Sequence, residues 1–146
     1  MDPWPLLRSL PPVVDPPGAE YAVLVPLYED AAGDVRVILT KRPDSMPTHP
    51  GDIVFPGGHR EDGEEPISTA AREAWEEIGL PEENILEILG GLTPVTTRDR
   101  SRPIVPVVAR IDRPAHLVPD EREVELIIEP TLTFLMEESN WVERDW

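Results

Sequence analysis

The chain has 146 residues, 40% of them hydrophobic, and a formal net charge of −16. That is enough apolar chain for one domain with a single core, and too much for a disordered acidic tail. It has no cysteine, which excludes disulfides and zinc–thiolate sites, and no run approaches the roughly 18 apolar residues of a membrane span.

So acidic a surface repels nucleic acid and anionic membranes, so neither is expected as a partner. Residues 1–18 hold six prolines and read as an arm that packs on the domain or leads loosely into it; the domain proper is expected over 19–146. The arm lacks the apolar stretch of a targeting signal, and with the missing cysteines this fits a cytoplasmic protein.

In chain order, EYAVLVPLYE (20–29) is a nearly unbroken apolar run and predicts a buried strand. DAAGD (30–34) is turn-like and VRVILTKR (35–42) is rich in β-branched residues, which together predict a hairpin. PDSMPTHPG (43–51) carries three prolines and a glycine and predicts a loop, followed by a short strand over 52–55. His49, within that loop, reads as a hydrogen-bonded loop residue in preference to a catalytic base. A helix is predicted from Pro66 to Gly79, the first suited to an opening turn and the second to a C′ position. Further strands are predicted in 85–95 and 101–111. DEREVELIIEP (120–130) mixes charge with apolar residues and fits no single element, whereas TLTFLMEESNW (131–141) suits a short helix.

The helix carries the chemical question. At about 100° per residue, Ile67, Ala70, Ala71, Ala74 and Ile78 form one apolar seam, and Glu73, Glu76 and Glu77 share a separate sector outside the core. Trp75 flanks the seam and is expected in the core. Three carboxylates at i, i+3 and i+4 repel one another and face the negative end of the helix dipole. They are either a solvated face, at a cost of a few tenths of a kcal/mol per pair, or hard oxygen ligands for a divalent cation.

Helix geometry leaves both open, and a resemblance carried by the surrounding residues favours the second. From Gly58 the sequence fits G-x5-E-x7-R-E-U-x-E-E-x-G-U, with Gly58, Glu64, Arg72, Glu73, Ala74, Glu76, Glu77, Gly79 and Leu80 in register. This resembles the signature of the Nudix hydrolases at every position. The resemblance implies an α/β fold, an α/β/α sandwich with a mixed β-sheet, and hydrolysis of a diphosphate linked to another moiety with Mg²⁺ or Mn²⁺. It implies Glu73, Glu76 and Glu77 as metal ligands with the Gly57 carbonyl as a further one, Arg72 orienting a glutamate, and Glu64 near the outer shell. One of the glutamates, or a base from a later loop, would take the proton of the attacking water. The metal-free form would then be the less stable one.

ILTKRPDSMPTHPGDIVFPGG (38–58) resembles the upstream motif of the coenzyme A pyrophosphatase branch, with Leu39, Thr40, Arg42, Gly51, Phe55, Pro56, Gly57 and Gly58 in register. Pro43 and Pro47 depart from it, standing where Ser and Arg are usual. The branch also usually continues past the region corresponding to Trp141–Trp146. The implied substrate is a small nucleoside diphosphate derivative, coenzyme A or an acyl derivative first, with ADP-ribose and a non-catalytic nucleotide-binding module as alternatives. Arg42, Gly58 and Arg98 are the candidate substrate contacts, Glu123 joins Arg72, Glu76 and Glu77 as a catalytic candidate, and a homodimer is possible by the same resemblance.

Overall fold

The computed structural model describes residues 2–96 and 103–141. Its centre is β1 (Tyr21–Glu29), which lies parallel to β8 (Pro103–Ile111), with Val23 opposite Pro106 and Val25 opposite Val108. On its far side β8 pairs antiparallel with β6 (Ile85–Gly91) and with β7 (Val95–Thr96). The other edge of β1 is shared. Its C-terminal half takes β2 (Val35–Val37) and its N-terminal half takes β5 (Gly57–His59), both antiparallel.

Pro26 sits where these two partners change over. Leu24 N donates to the Pro56 carbonyl and Ile38 N to the Pro26 carbonyl, so the N–H that proline lacks falls in the gap between them. The five-residue turn between β1 and β2 is closed by Asp30, whose Oδ1 accepts from Ala32 N and Asp34 N at 3.0 and 2.9 Å.

The run 35–42 is not one strand. After the fully buried Ile38 the chain leaves the main sheet, and β3 (Leu39–Lys41) lies between β4 (Ile53–Val54) and β9 (Leu126–Ile128) in a second, three-stranded antiparallel sheet. β9 is thus a three-residue strand within the segment that fitted no single element.

Period-two alternation along β1 and β8 builds two cores. Ala22, Leu24 and Tyr28 join Val105, Val107, Ala109 and Ile111 on one face, against Ala70, Ala74 and Ile78 of α2 (Pro66–Ile78). Val25, Leu27 and Val108 face the other way, against Trp4 of α1 (Trp4–Leu7) and Leu132 and Leu135 of α3 (Leu132–Met136). Helices on both faces of a mixed sheet make the α/β/α sandwich. The N-terminal arm packs on it: Trp4 is buried under the Arg110 guanidinium, 4.0 Å from the ring centre, and the Pro11 carbonyl accepts from Gly91 N at 2.7 Å.

α2 begins at Pro66 and ends as predicted. Gly79 takes φ 68° and its N–H bonds the Trp75 carbonyl, the bond of an αL cap, while Leu80 N reaches back to the Ala74 carbonyl at 3.3 Å. Three placements differ from the helical projection. Ile67 lies on the seam but in the first turn, and is 38% exposed. Trp75, at the seam's margin, is 58% exposed. Glu77 projects next to Ala70 and is 8% exposed, so one of the three carboxylates lies at the edge of the core and not outside it.

Candidate active site

α2 is held with its glutamate face against β5 and the loop after it. Gly57 N donates to Glu77 Oε2 at 2.8 Å, and the backbone at Gly58 runs directly over Glu73. A Cβ at position 58 would lie 2.6 Å from the Glu73 carboxyl carbon, so glycine there makes room for that carboxylate. A Cβ at position 57 would meet the Ala22 carbonyl at 2.4 Å and Val23 Cα at 2.6 Å, so that glycine serves the close approach of β5 to β1.

Arg72 is the hub. Its Nε and Nη2 grip Glu64 at 2.9 and 3.0 Å, Nη2 also reaches the His59 carbonyl at 2.9 Å, and Nη1 donates to Glu73 at 3.0 Å and Glu76 at 3.2 Å. Glu64 further accepts from the hydroxyl of the fully buried Thr69 at 2.6 Å and from Glu61 N at 3.1 Å. The Arg72 bonds, with smaller help from Thr69 and Glu61, hold Glu64 down at about 2. Arg72, bonded first to Glu64 and then to Glu73, is held firmly protonated.

Glu73 and Glu77 go the other way. Burial pushes Glu77 up to about 8, with the charges of Glu73 and Glu123 adding to it and the Gly57 bond and Arg42 opposing. Burial also raises Glu73, with Arg72 opposing and the charges of Glu76 and Glu123 adding. The structure therefore brings Glu123, from the loop before β9, and Arg42, from the end of β3, within electrostatic reach of the same carboxylates. Glu76 remains half exposed.

A cleft of about 350 Å³ opens at this face. Gly57 and Gly58 line it together with Arg42, Thr48, His49, Val54 and Phe55 from the second sheet and its loop, and Tyr21, Val23 and Ile104 from the main sheet. Arg42 is fixed by bonds from Nε and Nη2 to the Thr48 carbonyl at 3.2 and 3.0 Å. Arg98 lies outside the described residues, as do Arg100 and Arg102.

The donor set suits a hard divalent cation: oxygen only, three carboxylates on one face, two of them desolvated beside one another, and a glycine cradle that admits the Glu73 carboxylate. Among the described residues no three His, Asp or Glu side chains are already gathered into a cage, because Glu73 and Glu76 both lean on Arg72. The residues fit the ion by chemistry and position, and the carboxylates have to turn to meet it.

Sequence reasoning did not find Tyr21, Thr48, Val54 and Ile104 in the cleft. Tyr21 is brought there by β5, whose register sets it opposite His59, and β5 gives no side-chain pattern because two of its three residues are glycine. Thr69 was missed as well; its signal was a small hydroxyl residue five positions after Glu64.

A mixed sheet between helices, carrying a loop–helix–loop whose glutamates share one face, is the architecture of a Nudix fold. The NUDIX domain matches residues 19–144, and the chain belongs to the Nudix family. It is 36% identical over 130 residues to Nudix hydrolase 15, mitochondrial, of Arabidopsis thaliana, covering 86% of this chain and 45% of that protein. It is 36% identical over 120 residues to the peroxisomal coenzyme A diphosphatase ndx-8 of Caenorhabditis elegans, covering 81% and 51%. The chain thus spans about half the length of these relatives. Among solved structures, a Nudix hydrolase from M. smegmatis, RenU, superposes with a TM-score of 0.65 at 24% identity, covering 81% of this chain and 73% of that one. No helix among the described residues is long and apolar enough to cross a membrane. The organelle names of the relatives lend no support to the cytoplasmic expectation.

Proposed function

We propose that the chain hydrolyses the diphosphate of a nucleoside diphosphate derivative, with coenzyme A or an acyl derivative as the leading substrate and 3′,5′-ADP and (acyl-)4′-phosphopantetheine as products. The observation that carries this reading is the packing of Glu73 and Glu77 against Gly58 and Gly57, two residues that line a cleft together with Arg42. The coenzyme A preference is supported by the upstream motif over 38–58 and by the name of the ndx-8 relative.

Mg²⁺ or Mn²⁺ would be held by Glu73, Glu76 and Glu77 with the Gly57 carbonyl as a further donor, and when bound it neutralises the diphosphate and acidifies a water. Arg72 holds Glu73 and Glu76 in place, and Glu64 holds Arg72. Glu77 is engaged with Gly57 N and buried. That leaves a Glu123 carboxylate oxygen as the acceptor we assign for the proton of the attacking water. Arg42 binds substrate phosphate, and Gly58 lets the chain approach it.

The test is a panel of coenzyme A, acyl-coenzyme A, ADP-ribose, NADH and dinucleoside polyphosphates, with and without Mg²⁺ and with products identified by mass spectrometry. Metal-dependent release of 3′,5′-ADP from coenzyme A is expected. Cleavage of ADP-ribose in preference would move the substrate, and no cleavage of any diphosphate by folded protein would overturn the reading.

A further inference from the structure

Besides Gly57 and Gly58, which touch Glu77 and Glu73, the cleft is lined by Arg42 and by Thr48 and His49 of the loop 43–52, whose geometry is set by several bonds that converge. Arg42 N donates to the Asp52 carbonyl at 2.9 Å, Gly51 N reaches the Pro43 carbonyl at 3.4 Å, and the Arg42 guanidinium grips the Thr48 carbonyl and hydroxyl. At its tip, His49 is the one non-glycine residue among the described residues with positive φ, 49°. That conformation costs a non-glycine residue on the order of 1 kcal/mol or more, and such residues cluster where a ligand is met. Asp52 Oδ2 lies 3.5 Å from His49 Nδ1, and Asp52 N donates to the His49 carbonyl at 3.3 Å. No described residue bonds Nε2, and half of the side chain is exposed in a cleft that Arg42 also lines.

We propose that His49, positioned by Asp52, pairs with Arg42 to bind a phosphomonoester that the substrate carries outside the diphosphate being cleaved. The proposal rests on the cleft being the substrate site. A phosphomonoester brings roughly two negative charges and three acceptor oxygens. It needs charged donors on a protein whose net charge is −16, and it is repelled by Glu73, Glu76 and Glu77. With a phosphomonoester bound, the ring would donate from Nε2 to the phosphate and from Nδ1 towards Asp52, and the guanidinium that lines the same cleft presents a second donor edge. The diphosphate belongs at the glutamates, and Gly57 and Gly58, which touch Glu77 and Glu73, line the cleft with Arg42 and His49. A nucleoside diphosphate derivative with an extra phosphate on its ribose then fits, and one without it loses a contact.

Two measurements test this with the whole chain. In the first, adenosine 3′,5′-bisphosphate and adenosine 5′-monophosphate are titrated into metal-free protein, which reads binding without catalysis. In the second, coenzyme A and 3′-dephospho-coenzyme A are compared in steady state with Mg²⁺. The wild type is expected to favour the extra phosphate about tenfold, the scale of one charge-assisted hydrogen bond. His49→Asn, which tolerates the same left-handed backbone, should remove most of that preference through KM with kcat within about twofold. Asp52→Asn should remove part of it. A wild type without preference, or a His49→Asn protein that keeps it, overturns the proposal. So does equal weakening of both ligands, which would put His49 on the diphosphate or in the loop's folding alone. If no diphosphate is hydrolysed at all, the proposed activity fails, and the bisphosphate titration still decides for or against the subsite.

Discussion

At the scale of single residues, two adjacent glycines do different work. The Cβ that position 57 lacks would strike backbone, the Ala22 carbonyl and Val23 Cα, which move only if β5 separates from β1. The Cβ that position 58 lacks would strike the far end of Glu73, a side chain that can swing away. Gly57→Ala should therefore destabilise the fold by about 2 kcal/mol or more, as overpacking against a fixed backbone does. Gly58→Ala should fold with a melting temperature close to wild type and lose turnover about tenfold or more, because the displaced carboxylate is one the chemistry needs. Thermal denaturation and turnover of both variants check this, and a Gly58→Ala protein with wild-type turnover would remove Glu73 from the site.

At the scale of elements, the loop 60–65 and the start of α2 are held by Glu64. Its carboxylate takes two bonds from Arg72, one from Thr69 and one from Glu61 N, and its carbonyl takes two from Arg60. A carboxylate held below its unfolded value, near 4.5, stabilises the fold fully above that value, and the contribution fades as the pH falls through about 2. Glu64→Gln should cost about 1 kcal/mol at neutral pH after solvent screening and flatten the loss of stability between pH 4.5 and 2. Denaturant melts of the two proteins across that range check it; parallel curves would show that Glu64 is not the group that titrates. The same element shows what the sequence made legible. Pro66 and Gly79 mark the ends of α2 by local chemistry, and its glutamates could be read as one face from spacing alone. The break at Ile38 could not, because the residues on both sides of it are apolar or β-branched and only the change of sheet separates them. β5 and β9 were hidden for a related reason: each is three residues long and is defined by a partner strand distant in sequence. The burial of Glu77 and the exposure of Trp75 lie at the two margins of the helical seam, where the neighbouring chain decides which side is covered.

At the scale of the whole molecule, an excess of acid is concentrated where the fold can least accommodate it. Glu77 is buried and Glu73 nearly so, each is raised by that burial and further by the charges of the acids around it, and Arg72 is bonded to Glu64, Glu73 and Glu76 at once. A cation that binds only the folded chain stabilises it by mass action, about 2.7 kcal/mol at a hundred times its dissociation constant. For a domain of this size that corresponds to a rise in Tm of about 5–10 °C with Mg²⁺. Sodium chloride of equal ionic strength should give little of it, because screening acts weakly on a buried group. Glu77→Gln separates the site from the fold. Its amide oxygen still accepts from Gly57 N, and the cost of burying an ionisable carboxyl is gone, so the metal-free variant should melt no lower than the wild type. Its Mg²⁺-dependent rise and its turnover should both be lost. A Glu77→Gln protein that keeps the full rise would mean the cation sits elsewhere, and one that melts far lower without metal would mean the carboxylate serves the core.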